Sequence, residues 1–185
     1  MSEDLVREMI LAIGDDPDRE GLKETPKRVV KSWAELYSGY NADAAEYCKV
    51  FSATYDQVVV FKDIDYFSMC EHHMLPFFGK VYIAYLPATN GKQGAKVIGA
   101  SKMARIVNVF ARRLQIQEQM TQQVAEAIQE MIHPRGLAVI VDGMHLCMMA
   151  RGVSQQHATM RTSAMWGLYR EDHRAQAEAL RLMGF

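Results

Sequence analysis

The order of hydrophobic patterns along the chain constrains its fold more than any other feature. Beyond an N-terminal helical stretch, strand-type segments come first, two amphipathic helices follow, and strand-type segments return. Val58–Phe61 is a short β-branched run, and Phe77 to Leu86 carries Val81, Ile83 and Tyr85 at alternate positions before Pro87. A polar, glycine-containing loop is expected from Ala88 to Lys96, with Val97–Ile98 as a short return strand. Ser101 is a candidate N-cap for a helix bearing Met103, Ile106, Val107, Phe110 and Leu114. A second helix from about Gln117 to Ile132 shows Val124, Ile128 and Met131 on one face, and His133-Pro134-Arg135-Gly136 breaks it. Leu137–Val141 and Met144–Ala150 read as an antiparallel pair joined at Asp142-Gly143. A last strand is expected between Thr159 and Trp166, with a terminal helix from about Asp172. This succession predicts an α+β fold, an antiparallel sheet with helices on one face.

Two helices precede any strand. Leu5, Val6, Met9, Ile10 and Ile13 recur at helical spacing, with Ser2 as N-cap and Gly14 as the stop. Thr25-Pro26 then reads as N-cap and first-turn proline of a helix whose apolar face is Val29, Val30, Trp33, Leu36 and Tyr37, ended by Gly39. Residues 1–45 are therefore expected to form a helical arm, and 46–185 a single functional unit. A length of 185 residues with 49% hydrophobic content is enough for one sizeable core. A net charge of −1 offers no general attraction to nucleic acid or membrane, so any anion site must be a local basic cluster. The acidic start Met1-Ser2-Glu3-Asp4 has no signal-peptide layout, and three cysteines are too few for a disulfide scaffold. A cytoplasmic location is expected.

Cys70 and His73 in Cys70-Glu71-His72-His73, with Cys147 in His145-Leu146-Cys147, are ligand types that a tetrahedral zinc prefers. Three protein ligands leave a corner for water, whose pKa the metal would lower toward about 7. On a strand, His145 and Cys147 would project to the same face, as would Arg151 by its parity. His72 or His145 would then serve as the acid–base group. The same residues also admit a buried thiol beside a solvated histidine, or a closed structural site with His72 or His145 as fourth ligand. Lys102 and Arg105 share a helix face near exposed N–H groups, an arrangement that favours phosphate, although each read singly is also ordinary surface charge. Gln117-Glu118 opens a helix, where Glu118 can partner the helix dipole or accept two donors from a guanine edge. Cys48, Met148 and Met149 read as packing residues and His157 as a solvated loop histidine.

Taken in order, Glu24-Thr25-Pro26-Lys27-Arg28-Val29, Cys70-Glu71-His72-His73, Val97-Ile98-Gly99-Ala100-Ser101-Lys102, Arg113-Leu114-Gln115-Ile116-Gln117-Glu118 and His145 through Val153 closely resemble GTP cyclohydrolase I, across nearly the whole chain. The resemblance implies hydrolysis of GTP at guanine C8, formate release and ring closure to 7,8-dihydroneopterin triphosphate, the first step of folate and tetrahydropterin synthesis. It implies the tunnelling fold, with small subunits joining sheets into barrels, two stacked rings forming a homodecamer, and active sites between subunits. It implies Zn2+ on Cys70, His73 and Cys147, His145 protonating guanine N7, and His72 as a second proton carrier. Glu118 would anchor guanine, with backbone contacts from Gln117. Lys102, Arg105 and Arg151 would hold the triphosphate, Arg28 would enter from a neighbour, and Ser101 would stand near the ribose. Ala100 and Ser154-Gln155-Gln156-His157 depart from the family pattern, as a packing change and a loop change. Feedback control through an N-terminal extension is not expected. A deazapurine-pathway enzyme of the same fold and a non-catalytic zinc-stabilised oligomer are the competing readings, and a nucleic-acid-binding module is disfavoured by charge.

Overall fold

The computed structural model describes residues 2–88 and 94–185. Among the described residues seven strands form: β1 (Val50–Ala53), β2 (Val59–Cys70), β3 (Pro76–Leu86), β4 (Ala95–Ile98), β5 (Leu114–Gln115), β6 (Gly136–His145) and β7 (Met160–Gly167). The helices are α1 (Glu3–Ala12), α2 (Thr25–Leu36), α3 (Ala100–Ala111), α4 (Gln117–Ile132), α5 (Leu146–Met149), α6 (Leu168–Glu171) and α7 (His173–Met183). The main sheet runs in the order β5-β2-β3-β6-β7, antiparallel except for the short β2–β5 pair, while β1 and β4 form a separate antiparallel pair. Together they make the expected α+β fold. Among the described residues no helix is long and apolar enough to cross a membrane.

Alternation decides which face each strand residue serves. Val81, Ile83 and Tyr85 of β3 and Leu137, Val139 and Val141 of β6 pack with Met103, Ile106, Val107, Met120, Val124 and Ile128 of α3 and α4. The intervening Ala84, Leu86, Ala138 and Ile140 pack against Tyr169, Ala179 and Met183 on the opposite face. Helices on one face therefore describes α3 and α4 but not the C-terminal helices. Burial on both sides also explains why β6 opens as an unbroken apolar run rather than an alternating one.

Four local expectations change. β6 does not turn at Asp142-Gly143: it runs on to His145, with Gly79 opposite Gly143. A two-residue hairpin would need positive φ, which Gly143 does not have. A Cβ there would collide with Gln117 Oε1 and Tyr66 Oη, so the glycine serves close approach inside a strand. The segment after it is the short helix α5, not a second strand, so strand parity does not relate His145, Cys147 and Arg151. β2 extends well past Val58–Phe61 through charged residues, with a register shift between Phe61 and Ile64 and Asp63 at φ 57°. Residues 89–93 of the expected loop lie outside the described residues, and Ala95 and Lys96 already belong to β4.

Caps also differ in detail. Ser2 caps α1 through Leu5 N as expected, and Gly14 follows it at φ 91°. Gly99 rather than Ser101 stands at the N-cap of α3, and Glu24 rather than Thr25 at that of α2. Asp172 caps α7, accepting from Arg174 N and Ala175 N.

Candidate active site

Cys70 ends β2, and the chain reverses at once: Cys70 N donates to Leu75 O at 2.8 Å and Met74 N donates to Cys70 O at 2.8 Å. That turn carries His73 back beside Cys70. Adjacent β3 pairs with β6, whose last residue is His145, so α5 delivers Cys147 to the same end of the sheet. The three donor atoms of Cys70, His73 and Cys147 lie within 4.8 Å of one another. A tetrahedral zinc with bonds of about 2.0–2.3 Å spaces its ligand atoms roughly 3.5–3.8 Å apart. Cys70 Sγ and His73 Nδ1 are 3.7 Å apart, so the donor set fits such an ion. Among the described residues the group comprises these three alone; neither His72 nor His145 joins it. Burial, with Cys70 beside it, pushes the Cys147 thiol pKa up, and Arg151 opposes the shift.

The cluster opens on a hollow of about 240 Å³ whose lining includes His72, Gln117, Glu118, His145 and Met160. The volume falls below the roughly 300–1,000 Å³ of a complete small-molecule site. His145 lies flat on Phe77, with ring centroids 4.6 Å apart and planes within 3°. Its Nε2 stands 2.9 Å from Gln117 Oε1. Burial lowers the His145 pKa from its ordinary 6.5, and the Glu118 carboxylate works against that shift. His72 is exposed, with Nε2 3.7 Å from Glu71 Oε1.

The basic residues divide. Arg151 Nη1 lies 3.3 Å from His73 Nε2 and donates to Cys147 O at 3.4 Å, so it borders the metal cluster. Lys102 and Arg105 occupy one helix, α3, as expected, but Ser101, Lys102, Arg105 and Arg28 do not line the hollow within a single chain. Arg105 instead borders a separate recess with Glu35, Tyr47 and Arg112, its guanidinium 5.9 Å from the Tyr47 ring. Arg28 is exposed and donates to Thr25 Oγ1.

Sequence reasoning named Gln117 for backbone contacts but missed what its side chain holds beneath the site. Gln117 is 1% exposed, and its amide Nε2 donates to Val141 O, Met160 O and Thr162 Oγ1. Thr121, four residues on in α4, shares Gln117's helical face, a spacing that could have flagged it. Thr162 and Phe77 come from separate strands and carry no local signal.

Comparison with known proteins gives the same direction. The chain is 50% identical over 178 residues to the GTP cyclohydrolase 1 of Deinococcus radiodurans, covering 95% of this chain and 80% of that protein. It is 49% identical over 183 residues to that of Chlorobaculum tepidum, covering 98% and 79%. It is 52% identical over 178 residues to that of Wolinella succinogenes, covering 95% and 92%. The family model described as GTP cyclohydrolase I matches residues 2–184. With three donors placed to hold a metal ion, opening on a cleft lined by His145 and Glu118, and a family match along almost its full length, the chain belongs to the GTP cyclohydrolase I family.

Proposed function

We propose that the chain hydrolyses GTP at guanine C8, releases formate, and recloses the ring with ribose carbons to give 7,8-dihydroneopterin triphosphate. The observation that carries this reading is the convergence of Cys70, His73 and Cys147 on the cleft that also holds His145 and Glu118. The donor set suits zinc, which when bound supplies Lewis acidity that makes water nucleophilic near neutral pH.

The protein's residues account for the rest. Glu118 accepts hydrogen bonds from the guanine N–H edge and fixes the base in the cleft. His145 donates a proton at N7, drawing electron density from C8 and exposing it to attack. Because burial lowers the His145 pKa, its protonated ring gives up a proton more readily than a free imidazolium, which suits a weakly basic purine nitrogen. His72, exposed at the rim, exchanges protons with solvent during ring opening and deformylation. Arg151, Lys102 and Arg105 hold the triphosphate, whose binding positions a base that reacts at a remote carbon. Ser101 stands near the ribose and assists the later rearrangement.

Assembly completes the site in this reading. The tunnelling fold joins subunit sheets into barrels, two rings stack as a homodecamer, and Arg28 enters from a neighbour. Support comes from the small hollow of the single chain and from the absence of Lys102, Arg105 and Arg28 from its lining. Residues 1–45 act as an arm on the catalytic unit 46–185.

The test is incubation of the purified protein with GTP, measuring formate and, after oxidation and dephosphorylation, fluorescent neopterin. Both products are expected from the wild type, and neither from Cys147→Ser, which keeps the fold. Formate without neopterin, or full activity in Cys147→Ser, would refute the reading.

A further inference from the structure

We propose that Gln117 is a positioning residue whose buried amide clamps His145, so that Nε2 keeps its hydrogen and proton exchange with substrate is confined to Nδ1. The inference rests on the reading of His145 as the group that handles the guanine proton. It gives Gln117 a side-chain role distinct from any backbone contact to the base.

The argument begins with the orientation of the amide. Gln117 Nε2 lies 3.0 Å from both Val141 O and Met160 O. Carbonyl oxygens only accept, so the amide nitrogen must face them; rotated by half a turn, Oε1 would meet two acceptors in a buried site. A hydroxyl chain reinforces the choice. Thr121 Oγ1 donates its single hydrogen to Gln117 O at 2.7 Å. In the 2.7 Å contact between the two threonines, Thr162 must therefore be the donor. Thr162 Oγ1 is left to accept from Gln117 Nε2 at 3.1 Å, sharing one of the amide's two hydrogens with a backbone carbonyl. The hydrogens thus run one way around a closed loop that begins and ends on Gln117.

With the amide fixed, Oε1 is the atom 2.9 Å from His145 Nε2, and only an N–H can face it there. The hydrogen bond made by one ring nitrogen decides which nitrogen is left for chemistry. Phe77, stacked on the imidazole, removes the ring's freedom to tilt away. Gly143 is part of the same device: any side chain there would strike Gln117 Oε1 and push the amide off the histidine. Buried on all sides and with its amide hydrogens committed, Gln117 offers its remaining acceptor to His145.

The experiment uses full-length protein with 15N-labelled histidine, with and without zinc, beside Gln117→Met, which fills similar space but cannot accept. The His145 resonances are identified by their loss in His145→Asn. In the wild type, Nε2 is expected to show the shift of a hydrogen-bearing nitrogen. In Gln117→Met the two tautomers are expected to mix, and kcat for formate release to fall roughly 10- to 100-fold with KM for GTP unchanged. An unprotonated Nε2 in the wild type, unchanged tautomers in Gln117→Met, or a loss confined to KM would overturn the clamp. Should Gln117→Met fail to fold, the wild-type spectrum decides alone. A wild type that shows the expected tautomer but releases no formate would overturn the proposed function and leave the clamp standing.

Discussion

The Cys147 thiol shows how a side chain's surroundings set the terms on which a metal can bind. Burial and neighbouring Cys70 raise its pKa, so in the metal-free protein at neutral pH it keeps its proton. Only the thiolate is a good ligand, and zinc must displace that proton. Titrating metal-free protein with zinc is therefore expected to release protons, measured calorimetrically as heat that varies with the ionisation enthalpy of the buffer. Cys147→Ser should reduce both the proton release and the affinity; undiminished release would assign the protons elsewhere. His145 behaves in the opposite sense. Its pKa is lowered in the folded state, so the unfolded chain binds that proton more readily and stability rises with pH. The contribution is complete above the ordinary value of 6.5 and is lost as pH falls below it. In urea titrations of metal-free protein at about pH 7.5 and about pH 5.5, the wild type is expected to lose more stability on acidification than His145→Asn.

Pairing of β3 with β6 holds both halves of the candidate site in place, and its tightest point is Gly79. A Cβ at Gly79 would strike the backbone oxygen of Asp142, which cannot rotate away as a side chain would. Gly79→Ala is expected to destabilise the fold by about 1–3 kcal/mol, read as a lower urea midpoint. A result within experimental error of the wild type would show that the strands can separate at no cost. The same pair marks the boundary of what the sequence disclosed. β3 was legible because Val81, Ile83 and Tyr85 alternate, and α4 because its apolar face repeats over four turns. The two cysteines and the histidine of the cluster were legible because ligand chemistry belongs to residue types. Asp142-Gly143 misled, since a glycine needed for close approach looks locally like one needed for a turn, and only the strand opposite tells them apart. β2 was cut short for a related reason. Lys62, Asp63 and Asp65 interrupt the apolar pattern, while tertiary pairing carries the strand through them by a shift in register. The support beneath His145 was illegible because Gln117, Phe77 and Thr162 meet only after α4, β3 and β7 have packed.

At the scale of the whole molecule, the chain presents surfaces that a solitary subunit would not be expected to keep. Leu5, Met9, Leu11 and Ile13 of the first helix and its end are all 47% or more exposed, and β7 terminates the main sheet with an unpaired outer edge among the described residues. Exposed apolar residues and an open strand edge are both features that association removes. If assembly also completes the site, the metal cluster of one subunit and Arg28 of another must work together, and two differently disabled chains should repair each other. Cys147→Ser destroys the cluster but leaves Arg28 intact; Arg28→Ala does the reverse. Alone, each is expected to be nearly inactive toward GTP. In oligomers refolded from an equal mixture, a working site needs its cluster from an Arg28→Ala chain and its arginine from a Cys147→Ser chain. Each requirement has a one-in-two chance in a random closed ring, so about a quarter of wild-type activity should return. Two affinity tags, purified in succession, would establish that the oligomers are mixed. Recovery to about that level places Arg28 across a subunit boundary from the metal. Mixed oligomers no more active than the separate variants would place both in one chain, and the intersubunit site would have to be abandoned.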